Sequence, residues 1–276
     1  MNNSEQPSKM PKAMEQFLSV DWTLPPFTSS AVIETIAEAL GTCGPSKHEE
    51  ILSKVMPWVY DLRRLSSMYI GRYKSTIHIQ EFSAQIAESI EAAAGGLFHA
   101  AICSLIPVIE GVLQKMAAER VGQPKRRNWM LPEIDALIAK EELSPGRFEE
   151  RIVMLQSLRA IFETRLFVDT ALDQSATRLN RNGILHGLFH DYANQLNFYR
   201  LISVLDSLCF AIGLKHGGSG FASSETDESR EYLGYLTSMS AASQRRPSSI
   251  PSEPILKGSS PLELRFMILQ AKRSNG

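Results

Sequence analysis

The sequence predicts an all-α fold, a helical bundle with long core helices, on three observations. Apolar residues recur at three- and four-residue steps along most of the chain, and strand-like alternation is scarce. One stretch also carries a single apolar stripe over about seven turns, a length that suits only a core helix.

In chain order, "SAVIETIAEALG" reads as a short helix ended by Gly41. "KHEEILSKVMPWVYDLRRLSSMYIGRYK" reads as a helix kinked or interrupted at Pro57, because proline has no N–H for the helical ladder. "QEFSAQIAESIEAAAGGLFHAAICSLIPVIEGVLQKMAAER" is one very long helix, or two joined near Gly95 and Gly96, with Pro107 bending the second part. The paired glycines read as a helix junction rather than a nucleotide-approach loop. After the loop "VGQPKRRNWM", a short helix starts at Pro132. Pro145 suits a first helical position with Ser144 as its cap, opening a helix whose stripe includes Phe148, Ile152, Leu155, Leu158, Phe162 and Leu166.

The long stripe is expected to begin at His186 and run through Phe189, Tyr192, Leu196, Tyr199, Ile202, Leu205, Cys209 and Ile212. From Gly217 to Ser259, Gly, Ser, Pro and Glu dominate. That composition predicts a flexible region with a short helix around Tyr232 to Met239. Ser260, Pro261 and Glu263 spell a capping box for a terminal helix that must dock on the body or on a partner. The domain reading is therefore a helical region over 1–75, a helical domain over 76–216, and a flexible tail with a terminal helix over 217–276.

The chain has 276 residues, 43% of them apolar, which is ample for a buried core. With 29 basic and 30 acidic residues the net charge is −1, so no global basic field drives binding to nucleic acid, and any RNA contact must use a local patch. "AAAGGLFHAAICSLIPVI", from Ala92 to Ile109, carries no formal charge, but its glycines, His, Ser and Pro favour a buried helix over a membrane span. No signal-peptide core is evident in "MNNSEQPSKMPKAMEQ". Cys43, Cys103 and Cys209 are odd in number and unclustered, reading as buried free thiols with no metal or disulfide framework. A cytoplasmic protein without cofactors and without a membrane partner is the expectation.

The chemistry-bearing stretch is "LNRNGILHGLFHDYANQLNFYR". Arg181 and His186 are separated by four residues, a spacing for which roughly one chance match is expected in a chain of this kind. Arg72 and His78, with five residues between them, also fit, so spacing decides nothing. Context favours the first pair. Asn182 and Gly183 follow Arg181, and His186 is expected near the N-terminal end of the long helix, where free N–H groups favour an anionic phosphate. Arg72 and His78 read as surface residues.

"LNRNGILHG" leading into a long apolar helix resembles the signature of the HEPN superfamily, the higher eukaryotes and prokaryotes nucleotide-binding domains. "GLFHAAICSLIPVIEGVLQK" is similar to the helix that carries an acidic residue, here Glu110, in longer members. The resemblance covers about 92–214. It implies a bundle that dimerises so that Arg and His of both subunits meet in one cleft. It also implies a metal-independent endoribonuclease of toxin or phage-defence type, with an antitoxin or other partner protein in some systems.

The residue types suit that chemistry independently. An imidazole such as that of His186 can serve as base toward the 2′-OH or as acid toward the leaving 5′-oxygen. Arg181 can clamp the phosphate through two N–H groups, and Asn182 would orient the phosphate or the imidazole. The expected product is a 2′,3′-cyclic phosphate. Glu110 either pairs with Arg181, holds His186, or faces solvent. In toxins blocked by nucleotide transfer, a Tyr stands two residues after the His; here that position is Leu188.

His190 reads as a supporting or surface residue. As a helical pair with His186 it would offer two metal ligands, but no well-oriented third. His99 reads as a core histidine beside Phe98. Lys125, Arg126, Arg127 and Trp129 in "PKRRNW" combine cations with an aromatic, which suits single-stranded RNA; the plain alternative is a solvated loop with Trp129 tucked into the body. Two readings compete with the ribonuclease: a non-catalytic HEPN-like dimerisation or nucleotide-sensing module, and a helical scaffold with a chance motif.

Overall fold

A computed structural model describes residues 9–121, 130–145, 148–173, 177–217, 222–247, 249–251, 253 and 255–274. Among these the chain is helical with no strand, as the periodicity predicts. The α-helices are α1 (Met10–Leu18), α2 (Ser30–Thr42), α3 (His48–Val59), α4 (Leu62–Met68), α5 (Ser83–Ala94) and α6 (Phe98–Val121). They are followed by α7 (Met130–Glu142), α8 (Glu149–Ile161), α9 (Arg181–Leu185), α10 (Gln195–His216), α11 (Asp227–Ser243) and α12 (Pro261–Ser274).

α10 is the central rod. Every residue from Gln195 to Ile212 is buried, and α3, α6, α7 and α8 pack around it. A helix buried on all sides must satisfy its polar residues internally. Its buried polar residues include a row at three- and four-residue steps: Asn197, Arg200, Ser203, Asp206 and Ser207. Arg200 donates to the Val20 carbonyl, the Asn197 amide oxygen and Glu49, and its guanidinium lies 5.0 Å from the Trp22 ring centre. Asp206 accepts from the Tyr73 hydroxyl at 2.6 Å and faces Arg64 at 3.6 Å.

By length and composition, stretches of α6 and α10 would each suffice to cross a membrane, but α10 is enclosed by protein and α6 lies half or more inside it. The uncharged run from Ala92 is thus a junction followed by a core helix. α5 ends at Ala94, Gly96 takes φ +73°, and α6 starts two residues on and returns along α5. Pro107 sits inside α6 and Pro57 inside α3, which ends at Val59, two residues after the proline, before Asp61 caps α4 by accepting from the Arg64 N–H.

Several element boundaries differ from expectation. α8 opens at Glu149, not Pro145, and the Ser144 hydroxyl turns back to the Lys140 carbonyl. The helix expected at Tyr232 to Met239 is α11, 17 residues long, started by a Thr226–Ser229 capping box and laid on α4 and α5 through Tyr232 and Leu236. Where described, the tail meets the body of the protein, as the apolar face of its terminal helix requires. Leu256 N–H donates to Gln195, Ser259 N–H donates to the Lys54 carbonyl, and α12 buries Leu264 and Ile268 against α2. One continuous core joins residues from Met10 to Ile268, so all three predicted regions contribute to it. Of the cysteines only Cys209 is fully buried; Cys43 and Cys103 are half-buried.

Candidate functional site

The stretch "NRNGILHGL" folds as a closed local unit. Asn180 is fully buried and caps α9: its side-chain oxygen accepts from the Gly183 N–H at 3.0 Å, and its amide donates to the Val168 carbonyl. The helix then lasts a single turn. Gly187 adopts φ +71°, its N–H meets the Ile184 carbonyl, and Leu188 N–H meets the Gly183 carbonyl. These two bonds form a Schellman closure, which ends the helix after Leu185. The chain re-enters a helix only at Gln195, capped by the Asn194 side chain on the Asn197 N–H.

His186 therefore caps the C-terminal end of α9 rather than opening the long helix. The expected attraction of a helix N-terminus for phosphate at His186 does not arise. Its imidazole is exposed and forms no side-chain hydrogen bond or ion pair among the described residues. His186 and His190 do not share a helical face, since 187–194 is irregular, so the chelating spacing considered for them has no basis.

Arg181 is the organised member of the pair. Its Nε donates to Glu110 Oε2 at 2.9 Å and its Nη1 to Asn182 Oδ1 at 3.0 Å. The two charged side chains are only about a quarter exposed, 25% and 24%. Of the three options open for Glu110, the structure selects pairing with Arg181, brought about by α6 passing beside α9. Five residues of helix separate Arg181 from His186 by about 7–8 Å of rise and about 140° of rotation. On that ideal geometry the two side chains leave α9 in different directions.

His190 is exposed, and its carbonyl lies 3.3 Å from His99 Nε2. His99 is exposed rather than in the core; its ring meets Tyr192 edge-on at 5.3 Å. Tyr192 hydroxyl is also 3.0 Å from Cys103 Sγ, and burial, followed by that contact, pushes the phenol's pKa up. Lys125, Arg126, Arg127 and Trp129 lie outside the described residues. Nor are Arg72 and His78 plain surface residues. Arg72 stacks over Phe27 at 4.9 Å, and His78 is bound to Glu119 at 2.6 Å.

A cavity of about 440 Å³ opens elsewhere, lined by Phe27, Trp58, Arg63, Arg64 and Glu225 among others. The sequence reading missed it. Of its two arginines, Arg63 pairs with Glu225 at the surface, whereas Arg64 reaches inward to the Phe27 carbonyl and Asp206. No family model, curated protein or solved structure matches the chain.

Proposed function

We propose that the chain is an endoribonuclease of the HEPN type, cleaving RNA by attack of the 2′-OH and leaving 2′,3′-cyclic phosphate ends. The observation that carries this reading is the restrained Arg181 guanidinium, held by Glu110 and Asn182 on the same one-turn helix that ends in an unengaged, exposed His186. Glu110 and Asn182 take Nε and one donor of Nη1. Nη2 and the other Nη1 proton have no partner in that set, which leaves donors for a phosphate oxygen. His186 supplies proton transfer at neutral pH.

Because Arg181 and His186 diverge around α9, the complete site in this reading is made by two copies of the chain, each giving a cation and an imidazole to one cleft. Leu185 and Leu188 flank His186 and are 36% and 62% exposed, an apolar margin suited to self-association. Activity in the cytoplasm on cellular or invading transcripts, and control by a partner protein, belong to the same proposal.

A second reading keeps the dimer without the chemistry: the Arg181–Glu110 pair is a structural tie between α6 and α9, and the module only binds. Incubating the purified full-length chain with total cellular RNA in EDTA separates the two. Cleavage to cyclic-phosphate ends is expected, reduced about 10²–10⁴-fold in His186→Ala, the usual worth of a general acid or base. Arg181→Ala should abolish it as well. An inert wild type, or variants that cleave as well as the wild type, would leave only the binding module.

A further inference from the structure

A second group of ionisable side chains, untouched by the reading above, lies at the end of the bundle where α6 and α10 both terminate. His78, Glu119 and His216 bring one ligand atom each to within 4.8 Å of one another. His78 Nε2 is 2.6 Å from Glu119 Oε1, and His216 Nε2 is 3.5 Å from Glu119 Oε2. We propose that these three side chains bind one divalent transition-metal ion of the zinc class, in a site with a fourth, open position.

The donor set comes first in the argument. Two imidazoles and one carboxylate suit zinc and its neighbours, and calcium or magnesium would demand more oxygens. Spacing agrees with it. Ligands about 2.0–2.1 Å from a tetrahedral ion stand about 3.3 Å apart, so closing this triad needs side-chain shifts of about an ångström or less per atom.

Supporting groups are also in place. His78 Nδ1, the nitrogen left over when Nε2 coordinates, faces Glu81 at 4.0 Å, and Glu81 is in turn fixed by Lys115 at 2.7 Å. A carboxylate hydrogen-bonded behind a ligating histidine sets its tautomer and raises its basicity, and Glu81 reaches that distance by a shift of about 1 Å. Lys215 donates to Glu119 Oε2 at 2.8 Å, and it is held independently by the buried Glu133 and the Met116 carbonyl. It therefore restrains the carboxylate through Oε2, the oxygen that also faces His216, while Oε1 faces His78.

Two further features aim the site at a cation. Glu119 lies in the last turn of α6 and His216 is the last residue of α10, so the partial negative charge of two helix C-termini converges there. His78 is placed by a backbone with φ +68°, which few residues other than glycine adopt, in the turn between Tyr73 and Ser83. The site is nine residues, about 13 Å of helix, along α6 from Glu110, and it does not depend on the ribonuclease reading.

The test is a titration of the EDTA-stripped full-length chain with Zn²⁺, followed by calorimetry, and with Co²⁺, followed by visible absorption. One ion per chain is expected, with Co²⁺ bands of four-coordinate intensity. His78→Gln, Glu119→Gln and His216→Gln should each weaken binding at least tenfold. The double variant His186→Gln/His190→Gln should bind as the wild type does. Failure of a variant to fold is met by proton NMR of the wild type, where zinc should shift two of the six histidine imidazoles, His78 and His216. Absence of saturable binding, binding that survives all three ligand substitutions, or shifts centred on other histidines would each overturn the proposal. The zinc titration reads binding without any RNA cleavage, so an inert RNA assay and an absent zinc isotherm fail separately.

Discussion

At the scale of single residues, the Arg181–Glu110 pair decides how the candidate site is read. A carboxylate in the apolar run "SLIPVIEGVL" asks for a partner, and that much is legible from sequence; which partner depends on how α6 crosses α9, which no local pattern encodes. The pair is only about a quarter exposed, so solvent still screens it and its net worth to stability is modest. Glu110→Gln should lower unfolding free energy by no more than about 1 kcal/mol, because the amide oxygen still accepts from Nε. In the proposed enzyme the neutral amide holds the guanidinium less firmly than the carboxylate does, and RNA cleavage should fall about tenfold or more. Urea melts and cleavage rates of one preparation check both. A large stability loss with unchanged cleavage would make the pair purely structural.

At the scale of elements, α9 shows where sequence periodicity misleads. The apolar steps from Phe189 and Tyr192 continue the stripe of α10 in register, so the pattern alone extends that helix back to His186. Two local signals oppose it, Gly187 just after His186 and Asn194 before Gln195, and each is a helix-end residue with its own hydrogen bonds. Local chemistry outweighs periodicity here because the closing bonds at Gly183 and Ile184 satisfy carbonyls that the last turn of α9 leaves free. The unit should be sensitive at Gly183, where an added Cβ would stand 2.4 Å from the Phe189 ring, itself stacked under Arg178. Gly183→Ala is expected to destabilise by about 1–3 kcal/mol through that clash. Asn194→Ala removes only a cap and should cost about 1 kcal/mol. Denaturant titration of the two variants gives the order, and a Gly183→Ala protein as stable as the wild type would contradict the described packing of α9 on Phe189.

At the scale of the whole molecule, the all-α class and the central place of α10 follow from hydrophobic periodicity, but the polar row along α10 is hidden in sequence by its apolar neighbours. Its meaning emerges only when Tyr73, Arg64 and the segment around Trp22 close over it from distant parts of the chain. Asp206 then becomes a global titration marker. Burial raises its pKa above the ordinary carboxylate value, against the opposing pulls of Arg64 and of the Tyr73 hydroxyl. With a raised folded pKa, the native state keeps this proton after the unfolded chain has released it. Its contribution to stability is therefore fully present below about pH 4 and is lost as pH rises toward the folded pKa, at up to about 1.4 kcal/mol per pH unit. Asp206→Asn cannot titrate, yet its amide oxygen still accepts from Tyr73. Loss of the carboxylate beside Arg64 adds a cost to the variant that does not itself titrate, so the slope carries the information. The unfolding free energy of the wild type minus that of Asp206→Asn should decline from pH 4.5 to pH 8 in urea titrations. A difference that is flat, or that grows with pH, would mean that Asp206 is held ionised by Arg64, and that the centre of the bundle is organised around a buried ion pair.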